Sequence, residues 1–181
     1  MLLLLPTLLL MSACGSQPID TYADRTPLFE PTEFFSGFLT AHGVVKNWRG
    51  DVIRYFNADI NACWQGDTGT LDEHFEFDDG ERQQRVWTLI PSGAQSYRAT
   101  AGDVVGNGEA RWSGNAFFLN YVLNIPLDDD SIDVRIDDRM YRVSDNVVIN
   151  ESAMEKYGLG VGDIVLTIVR HPEVVIECPN L

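Results

Sequence analysis

The 181-residue chain contains 27 Asp and Glu residues but only 13 Lys and Arg residues, which gives a formal net charge of −14 at pH 7. Such an acidic surface repels nucleic-acid phosphates and anionic lipid head groups, so the composition argues against nucleic acid as a partner and against membrane binding through a basic patch. The length and the 45% hydrophobic content suit one folded domain and exclude an intrinsically disordered chain.

The N-terminus carries a targeting signal. Residues 2–10 are mostly leucine and precede Ser12-Ala13-Cys14, a pattern typical of a bacterial lipoprotein signal whose cysteine is acylated after cleavage. The apolar run is too short to span a bilayer, which takes about 20 residues. We therefore predict a signal peptide over residues 1–13 and a lipid anchor at Cys14. A plain secretory peptide is the alternative, and the absence of Lys or Arg before the leucines departs from the usual basic start.

The residue after the predicted anchor bears on location. Gly15 stands where an Asp would mark retention at the inner membrane. We therefore expect the protein in the bacterial outer membrane, facing the periplasm, with its acyl chains as the contact to the membrane. Residues 14–33 contain Pro18, Pro27 and Pro31 among polar residues, which predicts a tether. A single domain is then expected over residues 34–181.

From residue 37 onward the sequence has the pattern of antiparallel strands. Alternating apolar and polar runs are separated by turn signals such as Asp78-Asp79-Gly80 and Gly114-Asn115. The strands are predicted over residues that include 51–64, 70–77, 82–90, 95–101, 116–125, 132–143, 147–150 and 161–170. Because the hairpins follow one another without crossover helices, we predict a mostly β, lipocalin-like antiparallel barrel of about nine or ten strands, with a two-sheet β-sandwich as the alternative.

Helix is scarce in this pattern. One short helix is predicted over residues 150–158, because Asn150 or Ser152 can begin it and Gly158 can end it. A further helical turn is expected over residues 32–36.

Two cysteines remain once Cys14 is acylated. Cys63 lies in an early strand and Cys178 lies close to the C-terminus. In an oxidising compartment two such thiols often pair, so a disulfide between them is one interpretation and two separate buried thiols the other.

Several long motifs resemble the bacterial lipoprotein family of unknown function numbered 3833. They are, in order, TLDEHFEFDDGERQQRVW, DVVG, GNA, DDRMY, INESAMEKYG and VGDIVLTIVR. The resemblance runs from about Phe34 to Arg170, and it departs from the family pattern at Arg139 and at Phe117-Phe118-Leu119, where tryptophan is usual. It implies an exported lipoprotein and brings no established activity.

The sequence contains no recognisable catalytic motif. His42, His74 and His171 are scattered, and no nucleophile elbow, phosphate loop or zinc-protease motif occurs. We therefore predict no catalytic residues, no metal site and no cofactor, and an enzyme is the least favoured class.

Candidate ligand-binding residues come from the predicted inward faces of the strands. Strand alternation directs Asp138 inward, and Arg85 is its best candidate partner. The alternative is an Asp138 that reaches water at a strand end. Aromatic walls and a few polar groups are typical of small-molecule sites. The predicted site therefore comprises Arg85, Trp87, Tyr97, Trp112, Tyr121 and Asp138.

Two functions follow from this interpretation. The first is a binding protein for a small apolar or amphiphilic ligand such as a lipid, and the second is a structural or interaction lipoprotein with a filled barrel. An apolar interior of about 300 Å³ or more would favour binding, and a packed one would favour the second function. The sequence does not identify a protein partner.

Overall fold

The computed structural model describes residues 17–127 and 130–178. Within these residues ten antiparallel strands form a closed barrel. The predicted barrel is therefore confirmed, and the alternative two-sheet sandwich is wrong. The strands are β1 (Gly37–Asn47), β2 (Val52–Gln65), β3 (Thr68–Phe77), β4 (Arg82–Gly93), β5 (Ser96–Thr100), β6 (Gly108–Ser113), β7 (Ala116–Pro126), β8 (Ser131–Ser144), β9 (Val147–Lys156) and β10 (Leu159–His171).

Each strand pairs with its neighbours in sequence, and the first strand closes on the last. Phe38 on β1 lies opposite His171 on β10, and the pairing continues to Asn47 opposite Gly162. Closure pairs the backbone groups that an open sheet would leave at its edges. Alternation along each strand then fills the interior. On β8, Val134 and Ile136 are buried, whereas Arg135 between them is exposed.

The helix predicted over residues 150–158 is wrong, because this segment forms most of β9. Asn150 pairs with Met140 on β8 and with Leu166 on β10, so both edges of the strand are hydrogen-bonded within the sheet. The helix-ending signal belongs to a hairpin, since Tyr157 and Gly158 have φ angles of 54° and 76° and positive φ at both central residues is typical of a tight β-turn. Pairing on two sides outweighed the local helix signals.

Residues 17–35 form what we term the N-terminal cap, which packs across one end of the barrel. The cap contains a 3₁₀ turn over Ile19–Tyr22 and helix α1 over Pro31–Phe34, where a turn over residues 32–36 was expected. Phe29 and Phe34 are completely buried. Residues 17–33 are therefore part of the folded domain, which corrects the predicted tether in this stretch. No helix among the described residues is long and apolar enough to cross a membrane.

Polar contacts fix the cap to the hairpins beneath it. The Phe29 N–H donates to the Gly114 carbonyl at 2.7 Å. Arg142, which is 4% exposed, donates to the Leu28 carbonyl at 2.7 Å and to the Glu33 carboxylate at 2.9 Å. Gly114 has a φ of +54°, and a Cβ there would lie 1.7 Å from the Tyr22 carbonyl oxygen. Glycine is therefore required where the cap crosses this turn.

The C-terminal segment is attached to the same end of the barrel. Cys63 on β2 and Cys178 form a disulfide with their Cα atoms 5.7 Å apart, which is within the usual range. The bridge spans a sequence separation of 115 residues and therefore encloses most of the barrel.

Candidate functional site

The barrel encloses a cavity of about 120 Å³. Most of its wall is apolar and comes from the inward faces of the strands, and Phe35 of the N-terminal cap contributes to it as well. The wall also contains a group of polar side chains that we term the interior polar cluster: Glu73, Arg85, Tyr121, Asp138, Asn150 and Ser152.

Arg85 provides the positive charge of the cluster. Its Nε lies 2.9 Å and its Nη2 2.8 Å from Oδ2 of Asp103. The predicted pair between Arg85 and Asp138 is therefore wrong as a direct contact. Asp103 reaches Arg85 because the loop between β5 and β6 folds against β7, where the Asn124 N–H donates to the Asp103 carbonyl at 2.8 Å. Strand alternation carries no information about the path of such a loop.

Asp138 points into the barrel, in the direction that strand alternation predicts, and is 6% exposed. Its Oδ1 atom accepts a hydrogen bond from the Asn150 amide, and the hydroxyl donors of Ser152 and Tyr121 also stabilise its charged form. Removal from water is the largest effect and raises the pKa of Asp138 to about 6, although these donors and the charge of Arg85 lower it. Burial also raises the pKa of Tyr121 well above its usual value, so this hydroxyl stays protonated and remains a donor.

Glu73 is a second inward carboxylate that the sequence analysis missed. It lies on β3, partly buried, and the side chain of Trp87 stabilises its charged form. Removal from water raises its pKa to about 7; Arg85 opposes this rise and Asp138 adds to it. The signal was available, because alternation places Glu73 on the same face as the apolar Leu71 and Phe75.

Asn150 and Ser152 were also missed, because the predicted helix concealed the alternation of β9. Both side chains are buried, at 2% and 3% exposure. The Asn150 amide donates to Asp138 Oδ1 at 3.5 Å and to Ser152 Oγ at 2.9 Å. This use of the NH₂ group fixes the orientation of the amide. The Asn150 Oδ1 atom is left buried without a hydrogen-bond partner.

The four aromatic residues of the predicted site fall into two groups. Trp87 and Tyr121 line the cavity and form an edge-on pair with ring centroids 5.0 Å apart. Tyr97 and Trp112 are stacked on each other, also at 5.0 Å, and do not line this cavity. Trp112 stacks on Phe117, which in turn stacks on Phe29 of the cap. Tyr97 and Trp112 therefore pack beneath the cap and do not belong to the cavity, which corrects their predicted place in the ligand site.

No group of three or more His, Cys, Asp or Glu side chains arranged to hold a metal ion occurs in the described part of the chain. Cys14, the predicted lipidation site, lies outside the described residues. Of the six predicted ligand residues, the structure places Arg85, Trp87, Tyr121 and Asp138 around one cavity.

A family model described as "Protein of unknown function (DUF3833)" matches residues 8–170. The chain belongs to this family. The match extends over the N-terminal cap and nearly the whole barrel, so the family and the folded domain coincide. No curated protein matches the chain.

Two solved structures of other proteins are similar to this chain. The S-type phycobiliprotein lyase CPES from Guillardia theta is 15% identical, with a TM-score of 0.57 over 79% of this chain and 93% of the lyase. A redesigned β-barrel, mFAP1, bound to DFHBI is 10% identical, with a TM-score of 0.44 over 78% of this chain and 100% of that barrel. The likeness to the lyase agrees with the closed barrel described above.

Proposed function

We propose that this protein is a lipid-anchored, periplasm-facing binding protein of the outer membrane, whose barrel holds one end of a small amphiphilic ligand. The observation that carries the proposal is the interior polar cluster beside an apolar cavity. Acylation of Cys14 provides the anchor, and the barrel provides the binding site. The fold shared with a protein named a phycobiliprotein lyase supports a role for a small molecule.

The interior polar cluster lowers the stability of the folded protein, so the requirements of folding do not explain why it is present. Moving a carboxylate out of water costs several kcal/mol unless hydrogen bonds or charges compensate it. The raised pKa values of Glu73, about 7, and Asp138, about 6, show that compensation is incomplete. Apolar side chains would fill these positions at a lower cost in folding free energy. Carboxyl groups with shifted pKa values in a cavity are typical of functional sites.

The cavity volume limits what enters the barrel. At about 120 Å³ it is smaller than the roughly 300 Å³ of common small-molecule sites. It is closer to a cavity of about 150 Å³ that holds benzene. We therefore propose that a polar group and a few carbon atoms occupy the cavity. The remainder of the ligand would extend along Phe75, Ile164 and Leu166, which line the cavity and are only partly buried.

The small volume also favours the second function, a structural or interaction lipoprotein with a filled barrel. Native mass spectrometry of the full-length protein purified from its own host separates the two functions. A discrete mass adduct of a small organic molecule is expected if the barrel binds a ligand. The bare protein mass alone would favour the filled barrel.

A cavity-filling variant locates any adduct. Ala41 lines the cavity and is 3% exposed, so Ala41→Leu should occupy much of the space and abolish the adduct. Ala153→Leu makes the same change on the exposed outer face of β9 and should leave the adduct in place. An adduct that survives Ala41→Leu would show that the molecule binds elsewhere.

The proposed anchor makes a separate prediction. Cys14→Ser removes the thiol that carries the diacylglycerol and should move the protein from the membrane fraction to the soluble fraction, because the acyl chains are the proposed membrane contact and two or more chains hold a protein far more firmly than one. Cell fractionation with immunoblotting measures the change. Cys63→Ser is the matched control and should not alter membrane association. Persistence of the Cys14→Ser protein in membranes after a high-salt wash would refute the anchor.

A further inference from the structure

We propose that the group entering the barrel cavity is positively charged, an ammonium group that donates hydrogen bonds to Glu73, Asp138 and Asn150. This inference rests on the proposed binding function and specifies the chemical class of its ligand. It follows from the balance of charge around the cavity and from the kind of hydrogen-bonding capacity left unused there.

The charges around the cavity favour a cation. Glu73 and Asp138 both line it, and Arg85 is the one cationic side chain that lines it among the described residues. The Arg85 guanidinium is bound by both oxygens of Asp103, at 3.1 and 2.9 Å from Nε. Because Asp103 binds Arg85, three carboxyl groups share this one cation, and the cluster has an excess of negative charge when they are ionised.

The unused hydrogen-bonding capacity consists of acceptors. Asn150 lines the cavity at 2% exposure, and its Oδ1 atom has no partner because the NH₂ group is already used by Asp138 and Ser152. A buried polar atom without a partner costs about 1 to 3 kcal/mol. An ammonium group has three donors and no acceptor. It therefore complements two carboxylates and an orphaned carbonyl oxygen, whereas a carboxylate or phosphate would face more negative than positive charge.

The aromatic wall is compatible with positive charge as well. The Arg85 guanidinium carbon lies 5.6 Å from the ring centroid of Phe75 and 5.8 Å from that of Trp87. The negative faces of aromatic rings attract cations at this range. Apolar surface and cation recognition are thus combined in one wall.

Three matched probes test the inference on the full-length protein: benzylamine, benzyl alcohol and benzoate. Each carries the same apolar ring, and they differ in the charge of the polar group. Binding is followed by NMR through the indole N–H signal of Trp87, which lines the cavity; the signal is assigned with Trp87→Phe. We expect benzylamine to bind at least about tenfold more tightly than benzyl alcohol, and benzoate to bind most weakly.

Neutral variants show which groups recognise the cation. Glu73→Gln and Asp138→Asn retain the side-chain shape and should each weaken benzylamine binding about tenfold while changing benzyl alcohol binding less than about twofold. Glu76→Gln is the matched control, because Glu76 lies on β3 with its side chain 62% exposed. It should change neither affinity.

The pH dependence gives an independent readout. The groups facing Glu73 are Arg85, Asp103, Tyr121 and Asp138. With the pKa of Glu73 at about 7, its ionised fraction rises about tenfold between pH 6 and pH 8, while benzylamine stays protonated. Benzylamine affinity should rise by a comparable factor, and benzyl alcohol affinity should stay constant.

The outcomes separate this inference from the proposed function. Benzyl alcohol or benzoate binding as tightly as benzylamine would overturn the cation while leaving a binding site in the barrel. If none of the three probes shifts the Trp87 signal and the purified protein carries no adduct, the proposed binding function fails and the inference fails with it. Tighter benzylamine binding that Glu73→Gln and Asp138→Asn both leave unchanged would place the cation elsewhere and also overturn the inference.

Discussion

Replacing Phe29 by alanine is expected to lower the free energy of unfolding by about 3 to 5 kcal/mol. Phe29 is completely buried and packs against Phe34, Phe35 and Phe117 with ring centroids 5.2 to 5.5 Å apart. Truncation removes this apolar contact and leaves a void that the rigid barrel beneath cannot collapse to fill. Urea denaturation monitored by circular dichroism measures the change through the shift in midpoint.

The neighbouring residue supplies the control for this prediction. Leu28 is 52% exposed, so Leu28→Ala should change the stability by no more than about 0.5 kcal/mol. Equal effects of the two substitutions would mean that the N-terminal cap contributes nothing specific to the fold. The original prediction of a tether would then describe residues 17–33 better than the packing seen here.

Replacing Arg85 by leucine is expected to lower the free energy of unfolding by about 3 to 5 kcal/mol at pH 8, because it removes the cation from a buried cluster and leaves the carboxylates uncompensated. At pH 5 the loss should be clearly smaller. With pKa values of about 7 and about 6, Glu73 and Asp138 are then mostly protonated in the folded protein and need no positive neighbour. Urea denaturation at both pH values measures the difference.

The wild-type protein should show the underlying pH dependence. The pKa of Glu73 rises from 4.5 to about 7 on folding, and that of Asp138 rises from 3.8 to about 6. The folded protein therefore holds protons that the unfolded chain has already released. Their stabilising contribution is complete below pH 4 and is lost as the pH rises through 6 and 7. In Arg85→Leu both pKa values should rise further, because Arg85 lowers them, so the decline should extend to higher pH.

Arg82 on the same strand is the control for Arg85. Its side chain is 77% exposed, and its ion pair with Glu76 is 3.4 Å long. Arg82→Leu should therefore change the stability by less than about 1 kcal/mol at either pH. A loss in Arg85→Leu that is the same at pH 5 and pH 8 would contradict the electrostatic explanation and would indicate a packing effect only.

The barrel was predictable because alternation and turn chemistry are local. Period-two patterns on β8 and the other strands assign side chains to the inner or outer face without knowledge of partners. The same rule directed Trp87, Tyr121 and Asp138 inward. Applied to β3, the same rule also directs Glu73 inward, so the inward position of this carboxylate is contained in the sequence.

The helix predicted over residues 150–158 shows where local information is insufficient. Asn150, Ser152 and Gly158 offer the residue types that begin and end a helix, and the same types occur in strands and tight turns. The partners β8 and β10 decide between the two, since together they satisfy backbone groups along β9 on both edges. These partners are adjacent to β9 in the chain, but the residue types within β9 alone do not reveal them.

The sequence by itself determined the fold class, the inward face of each correctly predicted strand and the family, because these depend on residue types at fixed short spacings. The tertiary structure decided which inward residues share a cavity. Alternation gives the face of a strand but not the height of a residue along the barrel axis, so Tyr97 and Trp112 lie beneath the cap and Trp87 and Tyr121 line the cavity. The tertiary structure also decided that Arg85 binds Asp103, because Asp103 lies in the loop between β5 and β6 and the path of this loop depends on packing against distant strands.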